Sequence, residues 1–182
     1  DGARASAFRH VGQAVHNGVD SSQLAAEGAR WRHGAVEASA PVRIDFGGGW
    51  SDTPPFCIDW GGTVLNAALT LEGQYPIRTR IKRIDDPLIR CLAGEDAERA
   101  GEWRAADPLL AEVRPGSPFA IAAAALQMAG VLEEGRPLAA ALTELGGGLE
   151  FTTIVDVPMG SGLGTSSILG ATVVRAMAEM LG

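Results

Sequence analysis

Gly160, Gly162 and Gly164 lie between Pro158 and the hydroxyl run Thr165-Ser166-Ser167. Residues ahead of them alternate: Leu149, Phe151, Thr153, Val155 and Val157 against Glu150, Thr152, Ile154 and Asp156, which predicts a strand over 149–157. After Gly164 the period changes. Leu169, Val173, Met177 and Met180/Leu181 recur every three to four residues, with Arg175 and Glu179 on the opposite face, which predicts an amphipathic helix. A glycine-rich turn opening a helix binds anions: the first helical N–H groups have no internal partner, and the macrodipole adds about half a positive charge there. The hydroxyls of Thr165, Ser166 and Ser167 suit a phosphate oxygen or a Mg²⁺ ion.

Two common phosphate loops do not fit. The P-loop spacing needs Gly-Lys-Ser/Thr, and no lysine occurs here. The dinucleotide fingerprint needs glycine where Thr165 stands. The plainer alternative is a tight strand–helix turn whose glycines serve packing alone. Pro158 before the glycines, three hydroxyls after them and the clean change of period favour the phosphate loop.

A second constellation lies upstream. Val42, Ile44 and Phe46 face one way and Arg43 and Asp45 the other, within a strand expected over 36–46. Gly47-Gly48-Gly49-Trp50-Ser51-Asp52-Thr53-Pro54-Pro55 then breaks it. A flexible hairpin loop is the simple reading. The tryptophan, the carboxylate and the two prolines instead suit a rigid bend with a stacking face and hydrogen-bond acceptors, as a sugar pocket needs.

Pro158-Met159-Gly160-Ser161-Gly162-Leu163-Gly164-Thr165-Ser166-Ser167 resembles the ATP-phosphate loop of the GHMP kinase superfamily, with Thr165 and Ser167 as mild departures. The run from Pro41 to Pro55 is similar to the first motif of that family in its sugar-kinase form, and Gly48-Gly49-Trp50-Ser51-Asp52-Thr53-Pro54-Pro55 looks specifically like the L-fucose kinase branch. Galactokinases carry Glu-His at Gly49-Trp50; heptose kinases, with a Gly-Gly-Gly-Thr-Asp form, are the nearest competitor.

The resemblance implies ATP and Mg²⁺ as cofactors, transfer of the γ-phosphoryl group to an anomeric sugar hydroxyl, and roles for particular residues. Pro158, Gly160, Ser161, Gly162, Leu163, Gly164, Thr165 and Ser166 would hold ATP, Ser166 also the metal; Arg43 would assist the transfer; Gly48, Gly49, Trp50 and Asp52 would hold the sugar. A structural pairing of Arg43 with Asp45 is not expected; Glu37 or another carboxylate is left open as a partner. The implied fold is α+β, like domain 2 of ribosomal protein S5: a mixed, mainly antiparallel sheet with helices on one side and a left-handed β-α-β crossover. The catalytic aspartate, a second Mg²⁺ carboxylate and the ferredoxin-like second lobe of that family would all lie beyond residue 182. The chain is thus expected to be a truncated lobe, inactive alone, with a sugar-nucleotide pyrophosphorylase domain as a candidate upstream neighbour. A non-catalytic sugar-binding module is the alternative from another class.

Composition agrees with this. The chain has 182 residues, 46% hydrophobic and 20% charged, with net charge −7 and pI about 4.9, which disfavours a nucleic-acid partner. No apolar run approaches the ~18 residues of a membrane span, and no signal peptide is visible. Two cysteines, Cys57 and Cys91, make neither a disulfide framework nor a zinc site, and a cytoplasmic setting is expected. His10, His16 and His33 read as scattered surface residues.

Positioning elements follow from the remaining pattern. Residues 1–35 read as a helical lead-in or linker, its second helix ending near Trp31, and 36–182 as the lobe. A buried strand is expected over 63–69, and a strand over 74–84 whose Arg78, Arg80 and Lys82 form a solvated face. A short strand over 87–92 follows, then a loop-rich segment over 93–116 whose Trp103 covers the core. Helices are expected over 119–132, capped by Ser117, and over 138–145, stopped by Gly146-Gly147-Gly148.

Overall fold

The computed structural model describes residues 30–94, 97–158, 160 and 162–182. The helices expected before Trp31, and His10 and His16, lie outside the described residues. Trp31 itself is in an irregular segment, buried, with its indole Nε1 donating to the Gly147 carbonyl at 2.8 Å.

The expected strand over 36–46 is two strands. β1, Ala35–Ala40, pairs antiparallel with β4, Ile77–Ile84, whereas β2, Val42–Gly47, pairs antiparallel with β3, Leu65–Leu69. Pro41 sits at the break. It has no N–H to give a ladder, so the chain leaves one sheet there and enters another. The main sheet is completed by β5, Ile89–Ala93, β6, Arg99–Trp103, and β7, Gly148–Val155, in the order β1-β4-β7-β5-β6. Only the β5–β7 pairing is parallel, so the sheet is mixed and mainly antiparallel, as expected.

One face of this sheet is apolar. Val36, Ile81, Ile89, Cys91, Leu149 and Phe151 share a core with helices α2, Ala106–Leu110, α3, Ala120–Met128, α4, Leu138–Leu145, and α5, Thr165–Leu181. The other face carries ion pairs instead: Arg80–Glu37, Arg90–Glu150 and Arg90–Glu102 at 2.9–3.1 Å. Period-two alternation along each strand separates the two, which keeps these helices on one side.

Three more readings need correction. β3 was expected to be buried, yet Leu65 is exposed and Leu69 is half-buried, because its sheet has only two strands. The segment 93–116 is more regular than its glycines and prolines suggest. In β6, Gly101 leaves room for the Trp103 ring, which lies where a Cβ would stand and packs edge-on against Phe119 at 5.1 Å. Trp103 therefore covers the core. Pro108 fits the first turn of α2, where its missing N–H has no helical partner to lose. Helix α3 is shorter than expected: Ser117 stands before it, accepting from the Phe119 N–H at 3.1 Å while donating to Glu112 at 2.6 Å. Gly146 does close α4, with φ 98°.

Candidate functional site

β7 ends at Val155, but the buried side chain of Val157 continues inward and forms a satellite core with Val42 and Ile77. Leu163, Leu69, Ile168 and Leu169 pack on it. The glycine-rich loop is thereby anchored at both ends by apolar side chains. Between these anchors Gly160, Gly162 and Gly164 have φ of 78°, 76° and 71°. Each occupies the left-handed region that side chains avoid, so the loop's course depends on glycine. At Gly160 and Gly162 none of the described residues lies within 4 Å of a would-be Cβ. The main chain is therefore open to a ligand.

Gly164 caps α5 with no side-chain hydrogen bond, and the first helical bond runs from the Ile168 N–H to the Gly164 carbonyl at 3.0 Å. The amides of Thr165, Ser166 and Ser167 precede that bond and so have no intrahelical acceptor. With 17 residues behind it, α5 presents the full terminal charge of its dipole there. This donor set fits a phosphate chain. Ser166 and Ser167 are exposed, whereas the Thr165 residue is buried. Leu163 spends its side chain on packing, so only its main chain faces a ligand. Pro158 is exposed at the loop's entrance; Ser161 lies outside the described residues. For a Mg²⁺ ion the described residues offer the Ser166 hydroxyl and no cluster of three or more His, Cys, Asp or Glu, so phosphate oxygens would complete its shell.

Arg43 meets this loop through its backbone. Its N–H donates to the Leu163 carbonyl at 3.4 Å, which ties the start of β2 to the glycine-rich turn. Its side chain turns to Asp45, against expectation: Nε lies 3.1 Å from Oδ1 and Nη2 lies 3.1 Å from Oδ2. Residues i and i+2 of a strand share a face, so this pairing is the natural one. Glu37, the alternative left open, lies on the other sheet and pairs with Arg80.

The bend after β2 is held from below. The Ser51 hydroxyl donates to the Thr63 carbonyl at 3.0 Å and accepts from the Thr63 N–H at 3.1 Å. Gly48 and Gly62 flank this bond, and a Cβ at either would collide with the Thr63 carbonyl or with the main chain of Ser51 and Asp52. Gly49 stands over Asp45, its would-be Cβ 3.7 Å from Oδ2. Trp50 has φ 73° and is 83% exposed. Asp52 is exposed and pairs with no cation among the described residues. After the bend comes α1, Phe56–Trp60.

The structure thus brings Leu163, Arg43, Asp45 and Gly49 into one succession. Trp50 and Asp52 stand beyond it, in the turn that follows the end of β2. Sequence reasoning missed Asp45, Ser51 and Gly62. Strand periodicity carried the signal for Asp45. For Ser51 no local signal exists, because its partner is 12 residues away.

Comparison with known proteins defines the class. Residues 120–182 match the family model "GHMP kinases N terminal domain". The chain has the fold of that domain: it superposes on Lactococcus lactis galactokinase complexed with galactose with a TM-score of 0.53 at 18% identity, covering 93% of this chain and 37% of that one. For a D-glycero-D-manno-heptose 1-phosphate kinase from Bacteroides thetaiotaomicron the TM-score is 0.51 at 22% identity, covering 79% and 41%.

Sequence similarity is more particular. The chain is 40% identical over 152 residues to the L-fucokinase/L-fucose-1-P guanylyltransferase of Bacteroides fragilis, and 39% identical over 147 residues to the bifunctional fucokinase/GDP-fucose pyrophosphorylase of Arabidopsis thaliana. These alignments cover 81% and 80% of this chain. The chain spans 16% and 13% of the length of these curated relatives. No helix among the described residues is long and apolar enough to cross a membrane.

Proposed function

We propose that this chain is the nucleotide- and sugar-binding lobe of an ATP-dependent kinase that phosphorylates the anomeric hydroxyl of L-fucose. The observation that best supports this reading is the linkage at Arg43. Its main chain bonds to the glycine-rich loop, and its side chain is held by the carboxylate beneath the sugar bend. An arginine so held joins the two loops that the reaction must bring together. Similarity to two proteins named as fucokinases supports the choice of sugar.

Phosphoryl transfer needs positioning and charge stabilisation more than covalent help from the protein. In this reading the amides of Gly160, Gly162 and Gly164 and of the first turn of α5 bind the phosphate oxygens. Ser166 contributes a hydroxyl to the metal, which when bound neutralises phosphate charge. Arg43 draws negative charge off the transferring group. Asp52 accepts hydrogen bonds from sugar hydroxyls, Gly48 and Gly49 let the sugar approach the main chain, and Trp50 offers it a stacking face. The complete protein, in this reading cytoplasmic, carries a sugar-nucleotide pyrophosphorylase activity as well, as its relatives' names suggest.

The test is product formation by the complete protein with ATP, Mg²⁺ and a sugar panel, followed by phosphorus NMR. L-fucose 1-phosphate is expected. Turnover of heptose 7-phosphate with fucose inert would replace the substrate, and binding of ATP and fucose without turnover would reduce the protein to a sensor. The 182 residues alone are expected to turn over no fucose.

A further inference from the structure

Asp45 lies in β2, just ahead of the bend, where it meets both Arg43 and Gly49. Its two carboxylate oxygens take the Arg43 guanidinium in a bidentate pair, and Oδ2 also lies under Gly49. Arg43 itself is fixed to the glycine-rich loop only through its main chain, and its side chain is 50% exposed. A free arginine side chain of that exposure samples many rotamers. A fork-to-fork pair removes that freedom and fixes the plane of the guanidinium.

We propose that Asp45 is a positioning residue for phosphoryl transfer: it holds the Arg43 guanidinium in one orientation at the foot of the sugar bend. The inference rests on the role read for Arg43 above. Such a pair between exposed side chains adds little to folding stability, so its energetic importance would lie in orientation. A Cβ at Gly49 would rest 3.7 Å from Oδ2, in ordinary contact with the carboxylate that holds the arginine.

The experiment uses the complete protein and compares wild type, Asp45→Asn, Arg43→Ala and the double variant in ATP- and fucose-dependent turnover. Asp45→Asn keeps the shape and removes the charge. It is expected to lower kcat on the order of 10- to 100-fold, as a misplaced group does, with the KM for ATP within about twofold. In the Arg43→Ala background Asp45→Asn is expected to cost nothing further. Added guanidinium is expected to restore part of the Arg43→Ala rate when Asp45 is present and none when it is Asn. Losses that multiply in the double variant, or rescue that ignores Asp45, overturn the inference while leaving the kinase reading intact. A wild-type protein that phosphorylates no sugar overturns both. Equal melting temperatures for wild type and Asp45→Asn check that the change is in turnover and not in folding.

Discussion

Thr79 on β4 and Thr172 on α5 share a buried hydrogen bond of 2.8 Å. Its direction follows from the neighbours. The Thr172 hydroxyl already donates to the Leu169 carbonyl at 2.8 Å, so Thr79 must be the donor to Thr172. A polar clasp in an apolar layer fixes where α5 lies along β4, and with it the height of the glycine-rich turn that begins the helix.

That clasp predicts a non-additive pair. Thr172→Val leaves a buried Thr79 hydroxyl without its acceptor and should cost about 1–3 kcal/mol in a urea melt. Adding Thr79→Val removes the orphan and should recover much of the loss. If the two costs simply sum, the hydroxyls are not coupled.

Cys91 gives the fold a signature at high pH. Burial in the core pushes its thiol up from an ordinary 9.0 to about 12. The folded state therefore keeps its proton when the unfolded chain has lost it. Stability from this group is complete below about pH 9 and declines as pH rises toward about 12. Within that window the loss approaches about 1.4 kcal/mol per pH unit. Melting temperatures of wild type should thus fall more steeply between pH 9 and 11 than those of Cys91→Val. Parallel curves would contradict the assignment. Cys57, partly exposed, should react with a thiol reagent in the native protein while Cys91 does not.

Much of this was legible because each signal is local. Glycines at alternate positions followed by hydroxyls announce an anion-binding helix start, and the 3.6-residue stripe of α5 ran through Val173, Met177 and Met180, all buried. The division of 36–46 into two strands was legible only in Pro41, whose effect depends on which sheets lie on either side. β6 was hidden by Gly101, a residue that weakens strand propensity but here admits Trp103 over the strand. At the candidate site, the residues that bear chemistry stood out by type, whereas the residues that hold them did not. Ser51 looks like any loop serine until Thr63 is seen above it.

Gly162→Ala tests the glycine-rich loop. The methyl meets no atom of the described residues within 4 Å, so the effect comes from forcing φ 76° on an L-residue. Such strain costs about 1–2 kcal/mol. On the proposed reading, bound phosphate requires the loop in this shape, while the free protein relaxes. ATP affinity measured by calorimetry should therefore fall about tenfold, with a melting temperature close to wild type. Unchanged affinity would mean that the loop does not hold the nucleotide.

Ser51→Ala tests the opposite bend. It deletes both hydrogen bonds to Thr63, leaving the Thr63 amide and carbonyl to water, since the site is exposed. The global cost should be modest, about 0.5–1.5 kcal/mol. The local cost should be larger, because Asp52 follows directly and these two bonds are what tie the bend to the strand-side segment at Thr63. The bend's own turn bonds, from the Ser51 N–H to the Gly48 carbonyl and from the Thr53 N–H to the Trp50 carbonyl, are internal to it. On the proposed reading the KM for fucose should rise several-fold with the KM for ATP unchanged, since the amides assigned to the nucleotide belong to a different loop. Ser51→Thr retains the hydroxyl and should keep most of the sugar affinity. If Ala and Thr behave alike, the hydroxyl is not what shapes the bend; if both KM values rise together, the two loops respond as one body through Arg43 and Leu163, and the sugar and nucleotide sites cannot be separated by substitution at Ser51.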